Sequence, residues 1–586
     1  MITPVRSAAL QDAKPQPMQL LGTRVFRGPH LYSQTPMIRF EIDLGALEER
    51  PTTTLDGFVE ALLMRLPGLA NHGCSYGEPG GFVRRMREGT WLGHVIEHVA
   101  LELQTGVGMP VSRGKTRGVK GRLGVYNVMF AYVDEAVGLA AGRLAMRLVD
   151  ELLPAELQGV VGLGDLPATL DDGFADLREV AARRALGPTT RSLMKEAERR
   201  NIPARRLDDD SLIMFGQGIH RKRIRASCSD LTSQIGTDIA ADKDLTKQLL
   251  DDANLPVPKG ELVTTEAEAV RAAERLGFPV VTKPLDGNHG RGVTIGIAST
   301  QEVEWGFRTA REYGRVVIVE QHFVGSDHRI LVIGGEVVAV AERVPAHVTG
   351  DGQRSIAELV AEVNLDPKRG HGHASVLTRI EIDDITLRYL DRCNMNAGSV
   401  PEAGQTVWLR PTANLSTGGT AIDRTDEIHP ENALVARRAA RIVGLDIAGI
   451  DFVCPDITKS VRQTGGGIIE VNAGPGFRMH LEPFQGRPRN VARPVLELLF
   501  PQGSQGRIPI FAVTGTNGKT TTVRMLAHIL EATGATVGLT TTTGIYLGAD
   551  KIASGDCSGP KSAGLVLREP SVEVAVFECA RGGILR

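Results

Sequence analysis

The stretch Ile508-Pro509-Ile510-Phe511-Ala512-Val513-Thr514-Gly515-Thr516-Asn517-Gly518-Lys519-Thr520-Thr521 runs from apolar residues into a glycine-rich turn and then into a helical pattern. A strand that empties into such a loop at a helix start turns several backbone N–H groups toward one point, which is a cradle for phosphate. Working outward, residues 521–533 read as a helix, 536–541 as a strand and 572–577 as a further strand. This is the beginning of a parallel doubly wound sheet. Upstream, Pro501-Gln502-Gly503-Ser504-Gln505-Gly506 is a loop by composition, so residues 505–586 form a unit of their own.

The chain has 586 residues, and single cores rarely grow past about 250–300 residues, so several domains are expected. The reading is an α/β multidomain chain: an N-terminal α+β domain (1–160), a second domain (161–500) alternating strands such as 280–282 with helices such as 265–276, and the phosphate-loop unit. A helical connector is read over 190–206. Hydrophobic residues make up 42% and charged residues 23%, with a net charge of -2, which fits a soluble globular enzyme and offers no basic excess for nucleic acid. The basic run His220 to Arg225 reads as a solvated face or an anion-steering rim. Six cysteines lie scattered without CxxC spacing and read as reduced thiols of a cytoplasmic protein. No stretch approaches the ~20 apolar residues of a membrane span, and the first residues lack the apolar run of a signal peptide.

A second phosphate site is legible in the middle of the chain. Asp451 ends the apolar run 447–450, and Glu470 and Asn472 stand at spacing two on Gly467-Ile468-Ile469-Glu470-Val471-Asn472, so both point to one sheet face. Hard oxygens converging in this way suit Mg2+; the plainer alternative is strand-end carboxylates paired with surface lysines. Lys283 closes a strand ahead of a loop with Gly287, Gly290 and Gly292, where backbone can approach phosphate oxygens unobstructed. Lys243 adds a second cation. Glu320 ends the run 316–319 and Asp327 follows seven residues later, a segment able to hydrogen-bond an adenine edge and a ribose.

This order of elements resembles the ATP-grasp superfamily over about residues 235–480. The resemblance implies that Lys243 and Lys283 bind phosphates, Glu320 and Asp327 bind adenosine, and Asp451, Glu470 and Asn472 hold magnesium. It implies an acyl phosphate attacked by an amine, with catalysis that is largely electrostatic. Arg329 and His289 are candidates for acceptor carboxylates, and Ser399 for a substrate or backbone clamp; ordinary structural roles are the alternative for all three.

At the third unit a Walker A motif would place glycine where Val513 stands. The shorter loop is similar to that of the Mur ligase family. By that resemblance Gly515, Asn517, Gly518 and Thr521 belong to the nucleotide loop, Lys519 contacts the terminal phosphates, Thr520 ligates Mg2+ and Glu578 is a further magnesium ligand. Arg586 is the eighth residue after Glu578, which leaves too few for the remaining sheet and closing domain of a Mur ligase, so the expectation is a fragment or a short form whose last domain only braces the rest, without arginine addition.

In the N-terminal region, the predicted helix 91–105 carries His94-Val95-Ile96-Glu97-His98, and positions 94, 98 and 102 fall at i, i+4, i+8 with Glu97 beside them. HxxEH is the inverzincin arrangement, two histidines on zinc with a glutamate activating water. Cys74 or His72 could supply a third ligand, with Glu102 as the alternative. The other reading is a hydrogen-bonded polar cluster in the core.

An ATP-grasp unit followed by a Mur-like unit resembles the cyanophycin synthetase family, including Ala448 to Asp451, Glu470 to Gly476 and Gly555 to Pro560. That resemblance implies ATP and Mg2+ as cofactors and aspartate, arginine and a cyanophycin primer as partners. It also implies a homo-oligomer, a tetramer in the family, and an N-terminal peptidase that makes primers. Three alternatives stand beside it: a shortened variant polymerising β-aspartyl-arginine, a glutathione-type or D-alanine-type ligase, and a non-catalytic granule-binding scaffold.

Overall fold

Apolar and polar residues alternate through the strand Met37–Asp43, burying Ile38, Phe40 and Ile42 and turning Arg39 and Glu41 to the other face. The computed structural model describes residues 17–165, 167–285, 292–370 and 376–580. The strand lies between Gln19–Phe26 and Val125–Ala131, and Gly114–Gly118 completes an antiparallel sheet of four. Two helices, Leu92–Gly106 and Glu135–Glu151, cover its apolar face. Asp134 caps the second by accepting the N–H groups of Ala136 and Val137. Gly142 lets that helix approach closely, since a Cβ there would lie 2.5 Å from the Phe130 ring. This core takes in Leu170, Leu177 and Ala181 of the helix Leu170–Arg184.

Two antiparallel sheets follow. The smaller runs Thr294–Ile297, Val280–Pro284, Val317–Gln321, Gly260–Val263, backed by the helices Glu266–Leu276 and Thr300–Arg311. The larger runs Thr420–Asp423, Glu336–Val344, Ser326–Ile333, Ile447–Cys454, Gly467–Ala473, backed by Pro430–Val443. The strand bearing Asp451 continues to Cys454, because Phe452 and Cys454 carry the buried alternation onward; Asp451 is therefore mid-strand, not terminal. Residues 345–419 form an insert between two strands of the larger sheet, with its own core of Ile356, Leu359, Val360, Leu390, Val407 and Leu409. The sequence reading did not anticipate it. The connector is helical only over Pro188–Arg199; Ala204–Arg206 is a strand, paired with Leu212–Phe215. The basic run alternates along the strand Lys222–Arg225, with Arg223 and Arg225 matched to Asp230 and Asp208 at 3.1 and 3.2 Å.

The third unit is a sheet ordered Ile510–Val513, Val574–Glu578, Val537–Thr541, Gly544–Leu547, Asp550–Ser554. Its first three strands are parallel, as expected. The last two are antiparallel, so the sheet is mixed, because tight turns after Thr541 and Leu547 reverse the chain. Among the described residues no helix is long and apolar enough to cross a membrane.

Backbone bonds join this unit to the central one. Gln217, Gly218 and Ile219 donate their N–H groups to Gly506 O, Leu567 O and Val572 O at 2.8, 2.9 and 3.0 Å. Gly218 has φ +52, and a Cβ there would lie 2.1 Å from Val572 O. Gly218→Ala is expected to destabilise the junction by about 2–4 kcal/mol, read as a lower melting temperature and faster proteolysis between residues 501 and 507. Unchanged melting and cleavage would show that the junction relaxes freely.

Candidate active sites

Register builds the central site. Across the larger sheet Asp327 stands opposite Arg343, Arg329 opposite Asp451, Asp451 opposite Glu470 and Gly449 opposite Asn472. Directly paired residues share a face, so all these side chains meet on one surface. Asp451 is buried, with Oδ1 2.5 Å from Arg329 Nε and Oδ2 3.0 Å from Arg343 Nη2. Burial pushes its carboxyl up, but Arg329 and Arg343 outweigh that and hold it below its usual range. Asp327 is also held by Arg343, at 2.6 Å, yet burial wins there and raises it.

The smaller sheet supplies Lys283 and Glu320 to the opposite wall, and the helix Lys243–Asp252 adds Lys243 and Lys247. Lys283 Nζ lies 2.6 Å from Glu320 Oε1, and Lys247 contacts Oε2 of the same carboxylate. Burial, followed by the charge of Lys243, brings Lys283 down to about 8. Lys243 Nζ sits 3.9 Å from Glu470 Oε1. Between the walls is a cleft of about 730 Å3, with Val281, Ile295 and Ile469 as apolar lining and Lys243, Lys283, Glu320, Asp327, Asp451, Glu470 and Asn472 converging on it. Glu470, whose nearest cation is Lys243 at 3.9 Å, and Asn472 turn oxygens to the cleft, whereas both oxygens of Asp451 are engaged by guanidiniums.

Some expectations shift. Ser399 is not in this wall; its hydroxyl accepts the Asn396 N–H at 2.9 Å within a turn of the insert. Gly287, His289 and Gly290 lie outside the described residues. Gly292 has φ +70, where a Cβ would press on the Tyr313 ring at 2.7 Å. Arg343 and Lys247 were not foreseen. Lys247 was discoverable, standing one turn from Lys243 on the helix Lys243–Asp252; Arg343 has no motif to announce it.

The third unit holds its loop as expected. Gly518, with φ +78, leads into the helix Lys519–Glu531. Lys519 Nζ folds back on Gly515 O and Thr516 O at 3.1 and 3.4 Å. Thr520 Oγ1 donates to Glu578 at 2.9 Å, and Glu578, only 2% exposed, also accepts the Thr542 N–H at 3.1 Å. Asn517 and Thr521 flank this pair along the loop and first helical turn.

On the helix Leu92–Gly106 two polar groups face different ways. Donor atoms of Cys74, His94 and His98 lie within 4.8 Å of one another. His72 bridges His98 and Glu102, at 2.9 Å to each. Burial lowers His94 to about 4 and His98 to about 2, leaving both imidazoles neutral at pH 7. Glu97 instead points at the sheet, accepting the Thr116 hydroxyl at 2.6 Å. Burial raises its carboxyl to about 7.

Residues 39–154 match the family model of a cyanophycin synthase-like N-terminal domain, 240–353 a RimK-like ATP-grasp domain and 513–585 the Mur ligase middle domain. The chain is 50% identical to the cyanophycin synthetase of Geminocystis herdmanii over 97% of its own length and 65% of that protein's. It is likewise 50% identical to that of Synechocystis sp., again over 97% of the chain and 65% of the relative. It therefore spans less than two thirds of these relatives. A bifunctional glutathione synthetase from Pasteurella multocida, in a crystal structure, aligns at 22% identity and a TM-score of 0.45, over 79% of this chain and 81% of that one.

Glu97 yields a test of stability. Its carboxyl sits near 7 when folded, against an ordinary 4.5. The folded state thus keeps a proton that the unfolded chain has lost, and its contribution to stability fades as pH rises from about 4.5 through 7. Glu97→Gln should flatten the melting temperature against pH in that window. Parallel curves for the two proteins would remove the buried, proton-holding carboxyl.

Proposed function

We propose that the central cleft is the active site of an ATP-dependent amide ligase of cyanophycin synthesis, adding aspartate to a poly-aspartate backbone through an acyl phosphate. The Mur-like unit would add arginine to the aspartate side chains in a full-length protein. The observation that carries this reading is the convergence of Lys243, Lys283, Asp451, Glu470 and Asn472 on one 730 Å3 cleft. The likeness to cyanophycin synthetases supports the choice of substrates.

Each residue has a share in the chemistry. Lys243 and Lys283 would neutralise the triphosphate, Lys283 leaving Glu320, which keeps Lys247. Glu320 and Asp327 flank the adenosine end. The donor set fits magnesium: Glu470 and Asn472 turn oxygens to the cleft, and Asp451 would join them when a guanidinium gives way. When bound, the metal would neutralise charge on the phosphates. Arg329 would hold the acceptor carboxylate, whose oxygen attacks the terminal phosphorus and displaces ADP. The aspartate amine then attacks the carbonyl and expels phosphate. In the third unit Lys519, Thr520 and Glu578 would serve a second ATP with its magnesium. Their intact geometry favours this reading over a variant that polymerises β-aspartyl-arginine with an idle third unit. The protein would work in the cytoplasm as a homo-oligomer.

The N-terminal cluster supports a second, subsidiary activity. Cys74, His94 and His98 present a sulfur and neutral imidazoles in zinc-binding proximity. Zinc there would supply Lewis-acid chemistry to a peptidase that cuts polymer into primers. Glu97 would have to leave Thr116 to serve as its base.

The reaction is tested by incubating protein, ATP and primer with aspartate, with aspartate plus arginine, or with β-aspartyl-arginine, and weighing the polymer. Growth by aspartate units is expected, and arginine incorporation scores the third unit directly. Glu470→Ala should cost at least ~10²-fold in rate; near-normal turnover would refute the central site. For the peptidase, Glu97→Gln should retain stoichiometric zinc yet stop polymer cleavage. Absence of zinc from the wild type would leave a hydrogen-bonded core cluster.

A further inference from the structure

Three clefts run together across the central unit. The nucleotide cleft shares Arg329, Arg343 and Asn414 with a second of about 510 Å3, which shares Ser416 with a third of about 230 Å3 in the insert. None of the roles assigned above uses this third cleft. Its wall carries charges of both signs in two different conditions.

One pair is already satisfied. Arg410 is 6% exposed and its Nη2 donates to Asp383 Oδ2 at 2.8 Å, while its buried Nε finds no acceptor. The other oxygen of Asp383 accepts the N–H and hydroxyl of Thr386 at the start of the helix Asp384–Arg392. Arg379 and Glu381 differ. Both are exposed, two residues apart just beyond the strand Leu377–Thr378, and neither side chain bonds to any described residue.

Their backbone is nevertheless clamped. Arg369, 9% exposed, donates to Thr378 O at 2.6 Å and Gly418 O at 3.1 Å, and Ile380 N donates to Asn364 Oδ1 at 2.9 Å. Thr378 Oγ1 accepts from Arg478, which lines the second cleft, at 3.3 Å. A guanidinium and a carboxylate, both unspent and carried on fixed backbone in one small cleft, complement a ligand with the same two charges. An arginine joined through its α-amine to an aspartate side chain is such a ligand, since it keeps its guanidinium and its own carboxylate. A bare poly-aspartate chain would leave Glu381 facing only like charge.

We propose that this cleft is an acceptor subsite for an arginine-bearing unit behind the reacting end of the growing chain, Glu381 taking its guanidinium and Arg379 its carboxylate. The assignment rests on the ligase reading of the central cleft. It makes the central site discriminate an arginine-bearing acceptor from a bare one, at a point separate from the reacting atoms.

The test has two arms, both with the 586-residue chain. In the first, a fluorescein-labelled β-aspartyl-arginine tetramer is bound without ATP and followed by anisotropy. In the second, aspartate incorporation is measured on that tetramer and on a bare tetra-aspartate. Glu381→Gln and Arg379→Gln should each weaken the arginine-bearing acceptor about tenfold, in Kd and in KM. The melting temperature and the KM for ATP should stay as in the wild type, Glu381→Gln should not raise the KM for tetra-aspartate, and Glu381→Asp should recover part of the loss. Equal losses on both acceptors, or none on either, would overturn the subsite. A protein that binds the tetramer in this charge-dependent way but incorporates no aspartate would refute the ligase reaction and leave the subsite standing. One that incorporates aspartate while indifferent to both substitutions would do the reverse.

Discussion

Asp451 and its two guanidiniums are the constraint on which the central unit depends. Taking three charges out of water costs several kcal/mol per ion, repaid only by close geometry. Here the geometry comes from strand register: Arg329 faces Asp451 directly, and Arg343 reaches it from the strand beyond while also holding Asp327. A one-residue slip of the strand Ile447–Cys454 would drive Asp451 toward the helix Pro430–Val443 and bring Ile450 or Phe452 to the cleft. The network therefore fixes the pairing as firmly as the apolar face does, and the same register delivers Glu470 and Asn472 to the surface where phosphates would arrive.

The two candidate phosphate sites are built from different materials. The central cleft is built from side chains on two sheets and the helix Lys243–Asp252, and the third unit from a glycine loop with side chains of the helix behind it and of the strand Val574–Glu578. In both, the cations already have partners: Lys283 rests on Glu320, and Lys519 on the carbonyls of Gly515 and Thr516. On the proposed reading, nucleotide entry would be an exchange of partners in each site. In the central cleft Glu320 keeps Lys247 when Lys283 departs, so the exchange does not strand a buried carboxylate. In the third unit Thr520 and Glu578 hold each other at the position a cation would take.

How much of this the sequence disclosed follows from the range of the interactions. Spacing two on Gly467–Ala473, the phosphate loop and the HxxEH stripe are local, and each was legible in one stretch of chain. Three-unit architecture also followed, because each unit opens with its own apolar period and turn chemistry. What escaped was long-range or subtle. Arg343 matters only because its strand pairs with Ser326–Ile333. The insert at 345–419 has short strands of two or three residues, below what periodicity resolves. The antiparallel end of the third sheet depends on two short turns, the second holding Gly548 at φ +53. Asp451 was placed at a strand end because its charge interrupts an apolar run, although the structure continues straight through it.

The N-terminal helix shows the same limit more sharply. Positions 94, 97 and 98 are close on a helical projection, and 97 lies about 60° from 94 on the side away from 98. Sequence alone cannot say whether that angle keeps Glu97 with the histidines or gives it to the neighbouring sheet. Packing decides. At Gly114 a Cβ would fall 2.3 Å from the Glu97 carboxylate, so the strand Gly114–Gly118 comes close only because it has no side chain there. Thr116 then takes the carboxylate, while Cys74 and His72 gather on the other side of the helix around His94 and His98. One absent methyl group two residues from Thr116 thus separates the Glu97 carboxyl from the cluster of Cys74, His94 and His98, and puts them on different flanks of one helix.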